Sequence, residues 1–95
     1  MIKDEIEAIL KAHKQELATR FFVEKIGLFG SYARNEQNEE SDIDILVEFS
    51  RPVGFEFLDL KDYLETIFKT PVDLVTVNAL KPFIRNEILG EVQFQ

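Results

Sequence analysis

Apolar residues recur along this chain with two different periods, and the places where the period changes divide it into elements. Ile2, Ile6, Ile9, Leu10 and Leu17 fall at helical spacing with Lys and Glu between them, which predicts an amphipathic helix over residues 2 to about 19. VEKIGLF (23–29) and IDILVEF (43–49) are short apolar runs of strand length, and TPVDLVTV predicts a third strand over 72–77. Between the second and third strands, Phe57, Leu60, Leu64, Ile67 and Phe68 return to the helical period until Thr70-Pro71 stops it. A short helix over 31 to about 37, with Ser31 as its N-cap, and a last helix opened by Pro82 and stopped at Gly90 complete the pattern.

The predicted order is αβαβαβα, an α/β (α+β) chain with a small mixed sheet of about three strands and helices mainly on one face. A single domain over 1–95 is expected, since a chain of this length has a core sufficient for one unit and little to spare. There are no internal repeats and no low-complexity segments.

Chemistry concentrates in GSYARNEQNEESDID. Asp42 and Asp44 flank one residue at the start of a strand, so their side chains share a face with Cα atoms about 6.6 Å apart. That separation suits two Mg²⁺ ions spaced by roughly 3.5–4 Å. Strands disfavour Asp, so two within the first positions of one strand are seldom there for folding alone. Gly30-Ser31 closes the preceding strand, where backbone N–H groups and a hydroxyl can hold phosphate oxygens and a Cβ would obstruct their approach. For the ends of these two strands to meet, the strands must run antiparallel. For Asp73 to join them, the third strand must lie parallel to the second, with the 55–69 helix as a right-handed crossover.

This pattern of Gly-Ser, ten residues, Asp-x-Asp and a later strand Asp resembles the nucleotidyltransferases of the DNA polymerase β-like superfamily in their minimal form. The resemblance covers nearly the whole chain and is most specific over residues 26 to 49. It implies a nucleotidyltransferase core with Asp42, Asp44 and Asp73 as catalytic residues and metal ligands, and Gly30, Ser31 and Arg34 as nucleotide-binding residues. Mg²⁺ is the implied cofactor, two ions in all, with ATP as substrate. The closest implication is an antitoxin that moves AMP onto a tyrosine of a cognate HEPN ribonuclease toxin, its partner in a hetero-oligomer. Binding without catalysis is the alternative, and transfer to a small molecule of the aminoglycoside type ranks behind both. Arg34 either points to the β- or γ-phosphate or pairs with Glu36 or Glu39. Asn35 stands where such proteins commonly carry Gly, which bears on the loop shape there rather than on the carboxylates.

Charge narrows the partners. A net charge of −7 and a pI near 4.6 argue against a nucleic-acid backbone as ligand and suit a basic protein surface. The absence of cysteine fits a reducing, cytoplasmic setting, and no run is apolar and long enough for a signal peptide or membrane span. His13, on the apolar stripe of the first helix, reads as a boundary residue, and Glu36–Glu40 as a solvated turn. Lys61, Lys81 and Arg85 are as consistent with exposed surface as with a nucleotide pocket. Phe55, Phe83 and Phe94, near element ends, are candidates for a docking patch.

Overall fold

The computed structural model describes residues 1–95. Its elements are α1 (Lys3–Ala12), α2 (Lys14–Phe21), β1 (Val23–Phe29), α3 (Gly30–Ala33), β2 (Ile43–Phe49), α4 (Glu56–Phe68), β3 (Val72–Thr76), a 3₁₀ turn (Val77–Ala79), α5 (Pro82–Glu91) and β4 (Gln93–Phe94). The strands form one mixed sheet in the order β3-β2-β1-β4, one strand more than expected. β1 runs antiparallel to β2, and β2 parallel to β3 across the α4 crossover, as the shared-site argument required.

The sheet has two unlike faces because strand side chains alternate. Ile26 and Leu28 of β1, Ile43, Ile45 and Val47 of β2, and Val72 and Leu74 of β3 face one way. They join Ile6, Leu10, Leu17, Phe21, Leu60 and Leu64 from α1, α2 and α4 in the main core, where most are less than 4 % exposed. On the other face only Leu46, Leu80 and Val92 are buried together, with Phe29, Val75, Val77 and Ile88 packed around them. Helices therefore lie mainly on one face, and α5 with the 3₁₀ turn covers part of the second.

Four local expectations are corrected. The first helix is interrupted at His13, whose backbone leaves helical geometry (φ −99°, ψ 6°). The half-buried ring accepts no helical continuation there: its Nδ1 lies 2.8 Å from the Ile9 carbonyl oxygen and its edge faces Tyr63. The short helix spans only 30–33, opens on Gly30, and takes no side-chain cap from Ser31. It stops early because Asn35 turns left-handed (φ 58°), letting the Glu36 N–H donate back to the Ser31 carbonyl at 2.8 Å. Asn tolerates this conformation best after Gly, so the departure from the family pattern preserves the turn. Finally, α5 continues through Gly90 to Glu91. Val92 then inserts into the small cluster, and the chain extends into β4 along the free edge of β1, pairing Gly27 with Phe94. A Cβ on Gly27 would come within 2.5 Å of the Val92 side chain, so this strand glycine admits the C-terminal segment.

Candidate active site

The second face of the sheet carries the charged residues. Asp44 alternates with Leu46 on β2, and register places it opposite Phe29 of β1 on one side and Asp73 of β3 on the other. Asp42, exposed, precedes the strand by one residue. The structure thus brings Asp44 and Asp73 into direct proximity, with Asp42 close enough to act on Asp44 through its charge.

Electrostatics report the crowding. Burial pushes the Asp44 carboxyl up to about 6. The charges of Asp73 and Asp42 and a hydrogen-bonding contact with Asp73 add to that, and only the Arg34 charge opposes it. An oxygen-only donor set with unrelieved negative charge fits a hard divalent ion such as Mg²⁺, which takes few protein ligands and completes its shell with water and substrate phosphate. The structure does not, however, gather Asp42, Asp44 and Asp73 into a ready-made metal site: no group of three or more His, Cys, Asp or Glu side chains is placed to hold an ion.

Gly30 stands at the end of β1 with φ 78°. Its missing side chain is expected to let phosphate approach the backbone. The structure adds a second reason, since a Cβ there would collide with the Asp44 carboxylate. Ser31 follows, half-buried. Arg34, one turn on, makes the pair with Glu36 at 2.7 Å, while Glu39 takes no part. Its second partner was not anticipated: Nη1 donates to Glu91 Oε1 at 2.8 Å, and the Gly30 N–H donates to Glu91 Oε2 at 2.9 Å. Both carboxylates hold the guanidinium pKa further above its already high value, the Glu36 hydrogen bond being the largest single cause. Burial works to raise the Glu91 carboxyl, but the Gly30 N–H and Arg34 outweigh it and the net shift is downward. No local motif marks Glu91 in the sequence, because its partners lie about sixty residues earlier and meet it only through the packing of α5.

The remaining candidates disperse. Lys81 is exposed at the start of α5, Lys61 lies on α4, and Arg85 Nη2 donates to the Leu80 carbonyl at 3.0 Å. Phe55, Phe83 and Phe94 are all exposed, Phe94 the least, with the Lys25 ammonium over its ring. The molecule's larger cavity, 440 Å³, lies at the far ends of β2 and β3, lined by residues such as Phe49, Arg51 and Asn78. Neither cavity is lined by Asp42, Asp44 or Asp73; Asp42 and Asp73 are exposed and Asp44 is half-buried.

Comparisons with known proteins place the fold in a family. Residues 9–94 match the nucleotidyltransferase domain family. The chain is 49 % identical over 92 residues to the protein adenylyltransferase MntA of Thermococcus cleftensis, covering 96 % of this chain and 93 % of that one. A solved structure assigned as a minimal nucleotidyltransferase superposes with a TM-score of 0.82 at 32 % identity, covering 98 % of this chain and 95 % of that one. The Shewanella oneidensis complex of a tri-AMPylated HEPN toxin with its MNT antitoxin gives a TM-score of 0.67 at 19 % identity, covering 98 % of this chain and 71 % of that one, a likeness of fold. The glycine-serine turn, the carboxylate strand and the parallel third strand therefore have a common explanation: the chain belongs to the nucleotidyltransferase domain family, within its minimal nucleotidyltransferase branch.

Proposed function

We propose that this chain is an Mg²⁺-dependent protein adenylyltransferase that moves AMP from ATP to a tyrosine hydroxyl of a HEPN-type ribonuclease toxin, silencing it in the cytoplasm as its antitoxin. The observation that carries the acceptor's class is the openness of the site. Asp42 and Asp73 are exposed and neither cavity includes them, an arrangement that leaves room for a macromolecule to bring its own hydroxyl to the site. The close relative named as a protein adenylyltransferase supports the same reading.

In this reading Asp42, Asp44 and Asp73 hold the metal, and Gly30, Ser31 and Arg34 hold the phosphates. Bound Mg²⁺ would supply charge neutralisation on the triphosphate and a lower pKa for the incoming hydroxyl. The Gly30 N–H and Arg34 guanidinium orient phosphate oxygens by charge-assisted hydrogen bonds. Asp73, beside Asp44, accepts the tyrosine proton as the phenolate oxygen forms a bond to the α-phosphorus and the bond to pyrophosphate breaks. Each AMP adds about one negative charge and a bulky base, and near a ribonuclease groove that repels RNA.

Incubation of the protein with a HEPN-type partner, ATP and Mg²⁺ should add AMP-sized mass to the partner and abolish its RNA cleavage. The Asp42→Asn, Asp44→Asn double variant should fold and lose the transfer. Neutralisation by the double variant without mass change would replace this reading with inhibition by binding alone.

A further inference from the structure

Glu91 receives the two donors that the proposed reaction needs for phosphate. Its Oε2 accepts from the Gly30 N–H at 2.9 Å and its Oε1 from Arg34 Nη1 at 2.8 Å, while the carboxylate itself is only 23 % exposed. A carboxylate gripped by one backbone N–H and one guanidinium copies the way an anionic phosphate oxygen pair is held. The side chain arrives from α5, whose far end is fixed by Val92 in the small cluster and by β4 on the edge of β1. It is delivered by the fold rather than by a loop.

Building on the nucleotide-binding role given above to Gly30 and Arg34, we propose that Glu91 is an intramolecular competitor of the nucleotide, occupying the phosphate seat until a polyphosphate displaces it. An occupant of this kind lowers apparent affinity by the fraction of time it leaves the seat open, without altering the seat. A polyphosphate carrying Mg²⁺ brings more charge than Glu91 and displaces it. A singly charged anion does not. The residue thereby raises the nucleotide concentration at which the site fills and excludes weaker anions.

The test is titration calorimetry with inorganic tripolyphosphate and Mg²⁺ on the full chain, comparing wild type, Glu91→Gln and Glu87→Gln. Glu87 is exposed on the same helix one turn earlier and controls for the loss of one negative charge. Glu91→Gln should lower the Kd about tenfold, because a neutral amide holds the seat far more weakly than a carboxylate, and Glu87→Gln should leave it within about twofold. A Kd for Glu91→Gln equal to or weaker than wild type would overturn the proposal and make Glu91 a residue that holds Arg34 in place. An equal gain in Glu87→Gln would overturn it too, assigning the effect to net charge. Wild type supplies a reading independent of any variant: the carboxylate ¹³C resonance of Glu91 should shift on adding tripolyphosphate, and a Gly30 amide that shifts while Glu91 does not would contradict displacement. Neither measurement involves AMP transfer. Failure of the toxin assay with tripolyphosphate competition intact would therefore sink the adenylyltransferase reading alone.

Discussion

The two faces of the sheet are built from the same strands, yet they solve opposite problems. On the helix-covered face, residues of β1, β2 and β3 meet three helices in a continuous core with no buried polar or charged side chain. On the other face, the same strands carry Asp44 and Asp73 beside a cluster of just three buried residues. A strand of period two can put stability on its odd positions and chemistry on its even ones, and β2 does so within seven residues. The cost of like charges on one face is borne by packing on the other.

Substitutions should separate the two faces. Leu64→Ala, at a fully buried position on α4, should cost about 2–5 kcal/mol of stability and leave transfer per folded molecule unchanged. Denaturant melts paired with an activity assay at low temperature check both halves, and an activity loss exceeding the unfolded fraction would show that the faces are coupled. Gly30→Ala adds strain at a left-handed position and a collision with Asp44, for a loss of about 1–3 kcal/mol together with most of the transfer activity. An active, undamaged Gly30→Ala protein would mean that the turn has room the geometry denies.

A pH dependence sharpens the comparison further. The folded-state pKa of Asp44 is raised from 3.8 to about 6, so the folded protein binds more protons than the unfolded chain between those values. Its contribution to stability is complete below about pH 4 and is lost as pH rises through about 6. In metal-free protein, Asp44→Asn should remove this slope and raise stability at pH 7 by about 1 kcal/mol, after discounting for the solvent that reaches the carboxylate. Thermal melts from pH 4 to 8, wild type against variant, give the answer, and parallel curves would rule out Asp44 as the source. The smallest effect belongs to the turn at Asn35. Asn35→Gly should stay within about 0.5 kcal/mol of wild type, whereas Asn35→Val, β-branched at a positive φ, should cost about 1–2 kcal/mol with the site unchanged.

Much of the first face was legible from the chain because its signal is local and repeated. Alternation in IDILVEF and helical spacing from Phe57 to Phe68 each report burial several times over. The antiparallel and parallel pairings followed from requiring Gly30, Asp42 and Asp73 to share one place, a constraint of chemistry rather than periodicity. What escaped has a common cause. The break at His13 depends on a ring hydrogen bond and a Tyr63 contact, β4 is only two residues long, and Glu91 meets Gly30 and Arg34 from about sixty residues away. Interactions made once, between distant segments, leave no period to read.

The short β4 has a kinetic meaning. Its backbone is held to β1 by few bonds, among them the Gln95 N–H to the Ile26 carbonyl at 2.9 Å, and its pairing joins residues more than sixty positions apart in the chain. Closing so long a loop for so little contact makes this pairing the last to form and the first to open. Amide exchange should find the Gln95 proton far less protected than those at the centre of β2. The C-terminal segment then behaves as a latch that breathes on its own, and Glu91, seated just before it, inherits that rhythm.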